Sequence, residues 1–247
     1  MTGKGLDGKV ALIVGGARGM GAEEARLLCE EGASVMVADI LDEQGEKLAA
    51  SLSRAEYHHL DVTSETDWDE AVAATVSRFG RLDVMVNNAG IYTGRRIVNV
   101  SLEEWNRMIG VNQTGVFLGM RAAGRAMIDC RNGGSIVNIS SVAGLRGPWG
   151  GVSYVASKWA VRGMSRVAAK EFGPHGIRVN SVYPGFIQTD LLDQATKNMD
   201  RAEITASVPL GRIGEASELA SVVVFLAGDE SSYCSGQEFV VDGGHFG

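Results

Sequence analysis

The chain has 247 residues, 45% of them apolar, and a formal net charge of −7, which suits one large α/β domain or two small ones around a substantial core. The acidic balance gives a nucleic-acid partner no electrostatic support, and no apolar run approaches the roughly 20 residues that a membrane span needs. Cys29, Cys130 and Cys234 are odd in number and far apart, which argues against a disulfide framework or a zinc site and for small buried thiols in a reduced compartment.

The first nine residues carry no apolar stretch of signal-peptide length, so the cytoplasm is the expected location. From there, short β-branched runs alternate with longer helical patterns. The runs are Val10 to Val14, Ser34 to Ala38, Tyr57 to Leu60, Leu82 to Val86, Ser135 to Ile139, Arg178 to Val182 and Glu238 to Val241. Such alternation predicts βαβ units and a parallel sheet with helices on both faces. No proline-rich, serine-rich or charged stretch interrupts the chain, so a single α/β domain is expected. Its ligand crevice would lie beyond the strand C-termini.

Most of the informative residues follow directly after these strands. Gly15, Gly19 and Gly21 form a glycine-spaced turn that leads into a helix beginning near Gly19, where backbone N–H groups suit a pyrophosphate. The spacing is wider than the common dinucleotide fingerprint and is also compatible with a mere tight turn. Asp39 ends the second strand, where a carboxylate can accept both ribose hydroxyls and repel a 2′-phosphate. Arg18 pulls the other way, although it can instead reach the pyrophosphate or pair with a surface carboxylate. Asp61 reads in isolation as a helix cap in the run Asp61-Val62-Thr63-Ser64. Asn87-Asn88-Ala89-Gly90 ends the fourth strand, with small residues that permit close approach of a ligand, and Asn87 equally suits tying adjacent loops together. Arg95-Arg96 reads as solvated surface.

Asn112 lies in a helical stretch, for which asparagine is a poor former. Ser141 follows the fifth strand and by itself could be a turn hydroxyl. Tyr154 and Lys158 are i, i+4 in a helix predicted over Val152 to Phe172, so both side chains project from one face. A free tyrosine titrates near ~10, and bringing it to about 7 needs roughly 4 kcal/mol of preferential phenolate stabilisation, which a neighbouring ammonium and a cationic cofactor can supply. Tyr154 is therefore a candidate general acid-base. Pro184-Gly185 makes a turn after the sixth strand. Residues 190–209, with Leu191, Leu192, Met199, Ile204 and Val208, suggest a mobile helical lid with an apolar underside, or fixed core. His58, His59, His175 and His245 show no metal-ligand spacing, and no metal is expected.

Val14-Gly15-Gly16-Ala17-Arg18-Gly19-Met20-Gly21, Asn87-Asn88-Ala89-Gly90, Asn112, Ser141, Tyr154-x-x-x-Lys158 and Pro184-Gly185 resemble, in order and spacing, the short-chain dehydrogenase/reductases. The resemblance covers essentially the whole chain. The runs Tyr154 to Gly163 and Gly236 to Gly244 are most similar to those of bacterial NAD-dependent 3-alpha/20-beta-hydroxysteroid and secondary-alcohol dehydrogenases. One departure is Val14, where the family usually has a threonine, which removes one hydroxyl from the turn.

The resemblance implies a single doubly wound Rossmann-type domain over residues 1–247, with strand order 3-2-1-4-5-6-7. It assigns Gly15, Arg18, Gly19, Met20 and Gly21 to the cofactor's phosphates and Asp39 to its ribose. Asp61 and Val62 would flank the adenine, and Asn88, Ala89 and Gly90 would let the cofactor approach the backbone. Pro184, Gly185, Ile187 and Thr189 would form a nicotinamide clamp. Ser141 would orient the substrate oxygen, preferred over Ser140 for its thirteen-residue separation from Tyr154. Lys158 would depress the tyrosine pKa and grip the ribose, and Asn112 would hold a water linking Lys158 to solvent. The implied activity is hydride transfer between NAD and a secondary alcohol or ketone, in a homotetramer. A 3-oxoacyl-acyl-carrier-protein reductase is the alternative, typically with NADPH and a basic docking surface. A dinucleotide-sensing protein, which would have lost the tyrosine or lysine, is the remote one.

Overall fold

The five residues of β1 (Val10–Val14) are all buried and alternate between two cores, with Leu12 and Val14 in one and Ala11 and Ile13 in the other. A strand covered on both faces requires such an unbroken apolar run, the signature of a buried parallel sheet. The computed structural model describes residues 5–197 and 199–246. It continues with α1 (Gly19–Glu30), β2 (Ser34–Asp39), α2 (Asp42–Ser51), β3 (Ala55–His59), α3 (Glu65–Phe79), β4 (Val84–Asn87), α4 (Leu102–Ile109) and α5 (Gly115–Cys130). Then follow β5 (Gly134–Ile139), α6 (Val152–Phe172), β6 (Ile177–Pro184), α7 (Asp190–Thr196), α8 (Arg201–Ala206), α9 (Ala216–Ala227) and β7 (Glu238–Val241).

The seven strands form one parallel sheet in the order β3-β2-β1-β4-β5-β6-β7. One core, with Trp68, Leu118, Met127 and Val161, lies beneath α3, α5 and α6; the other, with Ala25, Leu28, Leu48, Leu219 and Val223, lies beneath α1, α2 and α9. Connections leave β1 and β4 towards opposite edges of the sheet, so the crevice opens above their C-terminal ends.

Strand ends differ from the sequence expectation where hydrogen-bond pairing, not hydrophobicity, decides them. The edge strand β3 pairs from Ala55 to His59 and stops before the buried Leu60, while β6 extends through Pro184, opposite Val241. Other expectations are corrected by burial. Cys130, the last residue of α5, is exposed and Cys234 half-buried; only Cys29 is a buried thiol. In residues 190–209, Leu192, Ile204 and Val208 are buried, whereas Met199 is exposed, so the apolar stripe is divided. Ala168 packs in the core, while Gly163 on the same helix faces open space. Among the described residues no helix is long and apolar enough to cross a membrane, and none of their side chains group as metal ligands.

Candidate active site

A cleft of about 460 Å³ opens at the C-terminal ends of β1, β2 and β4, lined by Gly15, Gly19, Asp39, Asp61, Asn88 and Thr189 among others. Its glycine turn is closely packed. A side chain on Gly15 would begin 2.6 Å from the Ala89 Cα, and one on Gly21 2.2 Å from the Gly15 carbonyl oxygen. Gly15 and Gly19 also have φ of +74° and +58°, conformations that glycine alone adopts freely. The N-terminus of α1 has neither a side-chain cap nor an acidic residue in its first turn, which leaves its N–H groups available to an anion. Val14 packs in the core.

Asp39 stands at the end of β2, its carboxylate accepting from the Ala17 N–H at 3.0 Å and the Leu41 N–H at 3.2 Å. Arg18 reaches across to Asp190, 3.2 Å away. Asp61 accepts from the N–H and hydroxyl of Thr63 at 2.9 and 2.8 Å. It is therefore a local turn residue beside the cleft, and the cap of α3 is Ser64. Asn88 donates to the Gly15 carbonyl at 2.8 Å, and its own amide oxygen is buried without a partner. Asn87 points the other way and donates to Asn138 at 2.7 Å, which ties the neighbouring strands β4 and β5 rather than two loops.

Ser141 is in extended conformation and its hydroxyl accepts from the Ala143 N–H at 3.1 Å, close enough to Tyr154 to act on the phenol's pKa in the lowering direction. Ser140 turns its hydroxyl to the Lys158 carbonyl, which leaves Ser141 as the serine facing the phenol. The ring of Tyr92 meets that of Tyr154 edge-on at 5.1 Å. Lys158 is buried, with Nζ donating to the Ile139 carbonyl at 2.8 Å and lying 5.7 Å from the Tyr154 ring centroid. Burial pushes the Lys158 pKa down to about 8. Burial likewise raises that of Tyr154, with Ser141 opposing it. In the protein alone desolvation therefore sets the direction of the phenol's shift.

Asn112 lies in a π-helical turn, Gly110–Thr114, between α4 and α5. It is fully buried; its side chain accepts from the Ile91 N–H at 2.9 Å and donates to the Ile91 carbonyl at 2.8 Å. The amide thereby clasps the loop after Gly90. A side chain on Gly90 would lie 3.6 Å from the Asn112 oxygen and 3.7 Å from Lys158 Nζ. After Pro184-Gly185, Gly214 bonds through its N–H to Phe186 O and through its C=O to Gln188 N–H, on either side of Ile187. In a parallel bridge this leaves the central residue's own N–H and C=O facing the opposite side. Thr189 caps α7 and donates to the Ile187 carbonyl.

A family model described as Enoyl-(Acyl carrier protein) reductase matches residues 15–245. A solved short-chain type dehydrogenase/reductase from Mycobacterium marinum superposes with a TM-score of 0.93 at 36% identity, covering 97% of this chain and 96% of that one. The chain is a short-chain dehydrogenase/reductase. It is similar to a 3-alpha-(or 20-beta)-hydroxysteroid dehydrogenase of Mycobacterium tuberculosis, 49% identical over 99% of this chain and 91% of that protein. It is also similar to a trans-4-hydroxycyclohexanecarboxylate dehydrogenase of Sinomonas cyclohexanicum, 45% identical over 96% of this chain and 92% of that protein. The protein is accordingly an oxidoreductase acting on CH–OH groups with a nicotinamide dinucleotide.

In this short-chain dehydrogenase/reductase the cleft is lined by Gly15, Arg18, Gly19, Met20, Asp39, Asp61, Val62, Asn88, Ala89, Gly90 and Thr189 of the residues singled out from the sequence, while Gly21, Asn112, Ser141, Tyr154, Lys158, Pro184, Gly185 and Ile187 lie outside that lining. Ile40, Leu41, Thr63, Arg107 and Val111 also line the cleft, and Tyr92 joins the phenol. Adjacency to Asp39 and Gly90 was the available signal for Ile40, Leu41 and Tyr92; no local pattern marks Arg107.

Proposed function

We propose that this enzyme is an NAD-dependent dehydrogenase of bulky alicyclic secondary alcohols, hydroxysteroids among them. The observation that carries the cofactor choice is the Asp39 carboxylate, held by two backbone N–H groups at the cleft wall, where a 2′-phosphate would meet like charge. Arg18, the residue that would favour that phosphate, is engaged by Asp190. The tight Gly15 and Gly21 contacts and the orphaned Asn88 oxygen fit a dinucleotide. When bound, the cofactor supplies the hydride acceptor.

The protein's own residues do the rest. Gly15, Gly19, Met20, Gly21 and the start of α1 receive the pyrophosphate, with Asp39 on the adenosine ribose. Asp61 and Val62 flank the adenine, and Asn88, Ala89 and Gly90 give close backbone approach. Pro184, Gly185, Ile187 and Thr189 hold the carboxamide end. Ser141 orients the substrate oxygen and Tyr154 exchanges its proton. Burial keeps the free phenol protonated, so its activation needs positive charge beside it, from Lys158 and the oxidised nicotinamide. Lys158 also holds the nicotinamide ribose, while Asn112 keeps the Gly90–Ile91 loop in place and its widened turn supports the proton path. Residues 190–209 act as a lid whose first helix is capped by Thr189.

A 3-oxoacyl-carrier-protein reductase would share this machinery, but Asp39 and the net charge of −7 oppose its usual cofactor and acidic carrier. A mere sensor has no use for the paired Tyr154 and Lys158. Titration with NADH and NADPH, followed by an assay panel of steroids, cyclic alcohols and acyl thioesters, tests the reading. Tighter NADPH binding, or turnover of thioesters alone, would reverse it. Asp39→Asn should narrow the cofactor preference by about tenfold as the like-charge penalty disappears.

The assembly we infer is a cytoplasmic homotetramer. Phe117, Trp159 and Val167 are exposed on α5 and α6, Gly163 leaves room for close helix approach, and β7 is an open sheet edge with Val240 exposed. Two isologous contacts of this kind close a dihedral assembly. Light scattering at micromolar concentration decides it: a monomer refutes the assembly, and a dimer leaves one contact standing.

A further inference from the structure

Tyr154 is the third residue of α6, and the start of that helix is weakly held. Its N-cap, Gly151, makes no side-chain bond, and a Cβ placed on Gly147 or Gly150 in the preceding loop would have nothing within 4 Å. An uncapped first turn frays, whereas a catalytic group must keep its geometry to about 0.5 Å. Contact from elsewhere in the fold has to hold the Tyr154 ring.

Tyr92 makes that contact, its ring meeting the Tyr154 ring edge-on at 5.1 Å between centroids. The segment that carries Tyr92 is pinned on both sides. Before it, the Ile91 N–H and carbonyl are clasped by Asn112 at 2.9 and 2.8 Å. After it, Arg95 forms a parallel β-bridge with Gly151, three residues ahead of Tyr154, and an ion pair with Glu104 of α4 at 2.6 Å. Between these ties Gly94 leaves room for the Tyr92 hydroxyl, whose oxygen would lie 2.9 Å from a Cβ at that position. The titratable groups facing the Tyr154 phenol are Tyr92 and, from its own helix, Lys158, with Nζ 5.7 Å from the ring centroid. Burial raises the Tyr92 pKa as well, so Tyr92 stands there as a neutral ring.

We propose that Tyr92 is a positioning residue for the proton transfer, an aromatic brace that fixes the Tyr154 ring and shields one side of it from water. The proposal rests on Tyr154 as the acid-base group and deepens that reading. A T-shaped aromatic contact sets the plane of the partner ring as well as its distance, and it is worth more than the area it buries. Water kept from the phenol also favours its protonated form, the direction in which Tyr154 is displaced.

The test uses the full-length enzyme with cyclohexanol and NAD, together with NMR titration of the cofactor-free enzyme labelled at the tyrosine ζ-carbons. The chain has five tyrosines, and the signal lost in Tyr154→Phe identifies the one that matters. Tyr92→Ala should lower kcat by about two- to tenfold, the factor that an aromatic pair of ordinary strength contributes. In the same variant the Tyr154 phenol should titrate at lower pH than in the wild type, and NADH affinity should hold. Tyr92→Phe, which keeps the ring, should restore both kcat and the titration. Gly94→Ala, which pushes on the Tyr92 hydroxyl, should act in the same direction as Tyr92→Ala, and the double variant Gly94→Ala/Tyr92→Phe should recover, because the next ring atom is 3.3 Å away. Unchanged turnover and titration in Tyr92→Ala, equal damage in Tyr92→Phe, or an equal fall in NADH affinity would each overturn the brace. Full turnover in Tyr154→Phe, or no oxidation of cyclohexanol by the wild type, would instead count against the reading on which the brace rests. The titrations then decide the brace alone: a lower Tyr154 titration in Tyr92→Ala with recovery in Tyr92→Phe supports it, and identical titrations overturn it.

Discussion

On the dinucleotide side of the crevice, contacts run between backbone atoms and small residues. Gly21 abuts the Gly15 carbonyl, Gly15 abuts Ala89, and Asp39 holds the N–H groups of Ala17 in the glycine turn and of Leu41 in its own loop. Where the C-terminal tail and residues 186–207 meet, they run between side chains from distant segments: Arg146 with His245, Arg201 with Asp193 and Gln188, Phe186 with His245. Backbone contacts have one geometry and tolerate no added volume, whereas side-chain contacts are exchanged by single substitutions. The difference suits a fixed cofactor and a substrate that varies from relative to relative.

The largest effect should come at the seam between the two sides. Tyr154→Phe should lower turnover by at least about 100-fold while leaving NADH binding in place, since a positioned acid-base group contributes about 10²–10⁴. Turnover near wild type would remove Tyr154 from the mechanism.

The contrast itself is broken or sharpened by one added methyl group on each side. In Gly21→Ala the methyl would lie 2.2 Å from the Gly15 oxygen and 2.6 Å from the Asn88 amide nitrogen. Overpacking of this sort costs about 1–3 kcal/mol, so NADH affinity should fall by roughly tenfold. Gly147, in the loop that carries Arg146, has nothing within 4 Å of the same position. Gly147→Ala should therefore change melting temperature and NADH affinity little, and equal losses in the two variants would erase the distinction.

Two buried ionisable groups extend the comparison to stability. Lys158 has its pKa lowered to about 8 by burial, against about 10.4 in the unfolded chain. The unfolded state binds more protons between those values, so the cost of burying the ammonium is full below pH 8 and fades as pH rises to about 10.4. Lys158→Met should therefore raise stability at pH 7 by about 1–3 kcal/mol, while weakening both NADH binding and turnover. A purely kinetic effect would eliminate the ribose contact.

Glu24, in α1 but outside the cleft lining, is fully buried with neither carboxyl oxygen partnered, and burial raises its pKa to about 8. Here the folded state holds the extra proton, so stability is greatest below about pH 4.3 and declines as pH rises to 8. Glu24→Gln should stabilise the protein at pH 8 by about 1–2 kcal/mol, with the advantage shrinking towards pH 4 and turnover unchanged. Parallel thermal melts at the two pH values read this out, and a pH-independent difference would mean that Glu24 is ionised in the fold.

Sequence alone was enough for whatever depends on neighbours along the chain. Val10 to Val14 reads as a strand because both faces of a parallel sheet demand apolar residues, and Val152 to Phe172 reads as a helix that must place Tyr154 and Lys158 on one face. The tertiary structure decided whatever depends on burial and long-range approach. It turned Arg18 to Asp190, closed Asn112 on Ile91, and divided the apolar residues of 190–209 between buried Leu192 and exposed Met199. It also raised the Tyr154 pKa where the adjacent lysine alone would lower it, and it set Arg146 against a histidine 99 residues away. Desolvation and packing are sums over atoms brought together from the whole fold, and no local spacing encodes them.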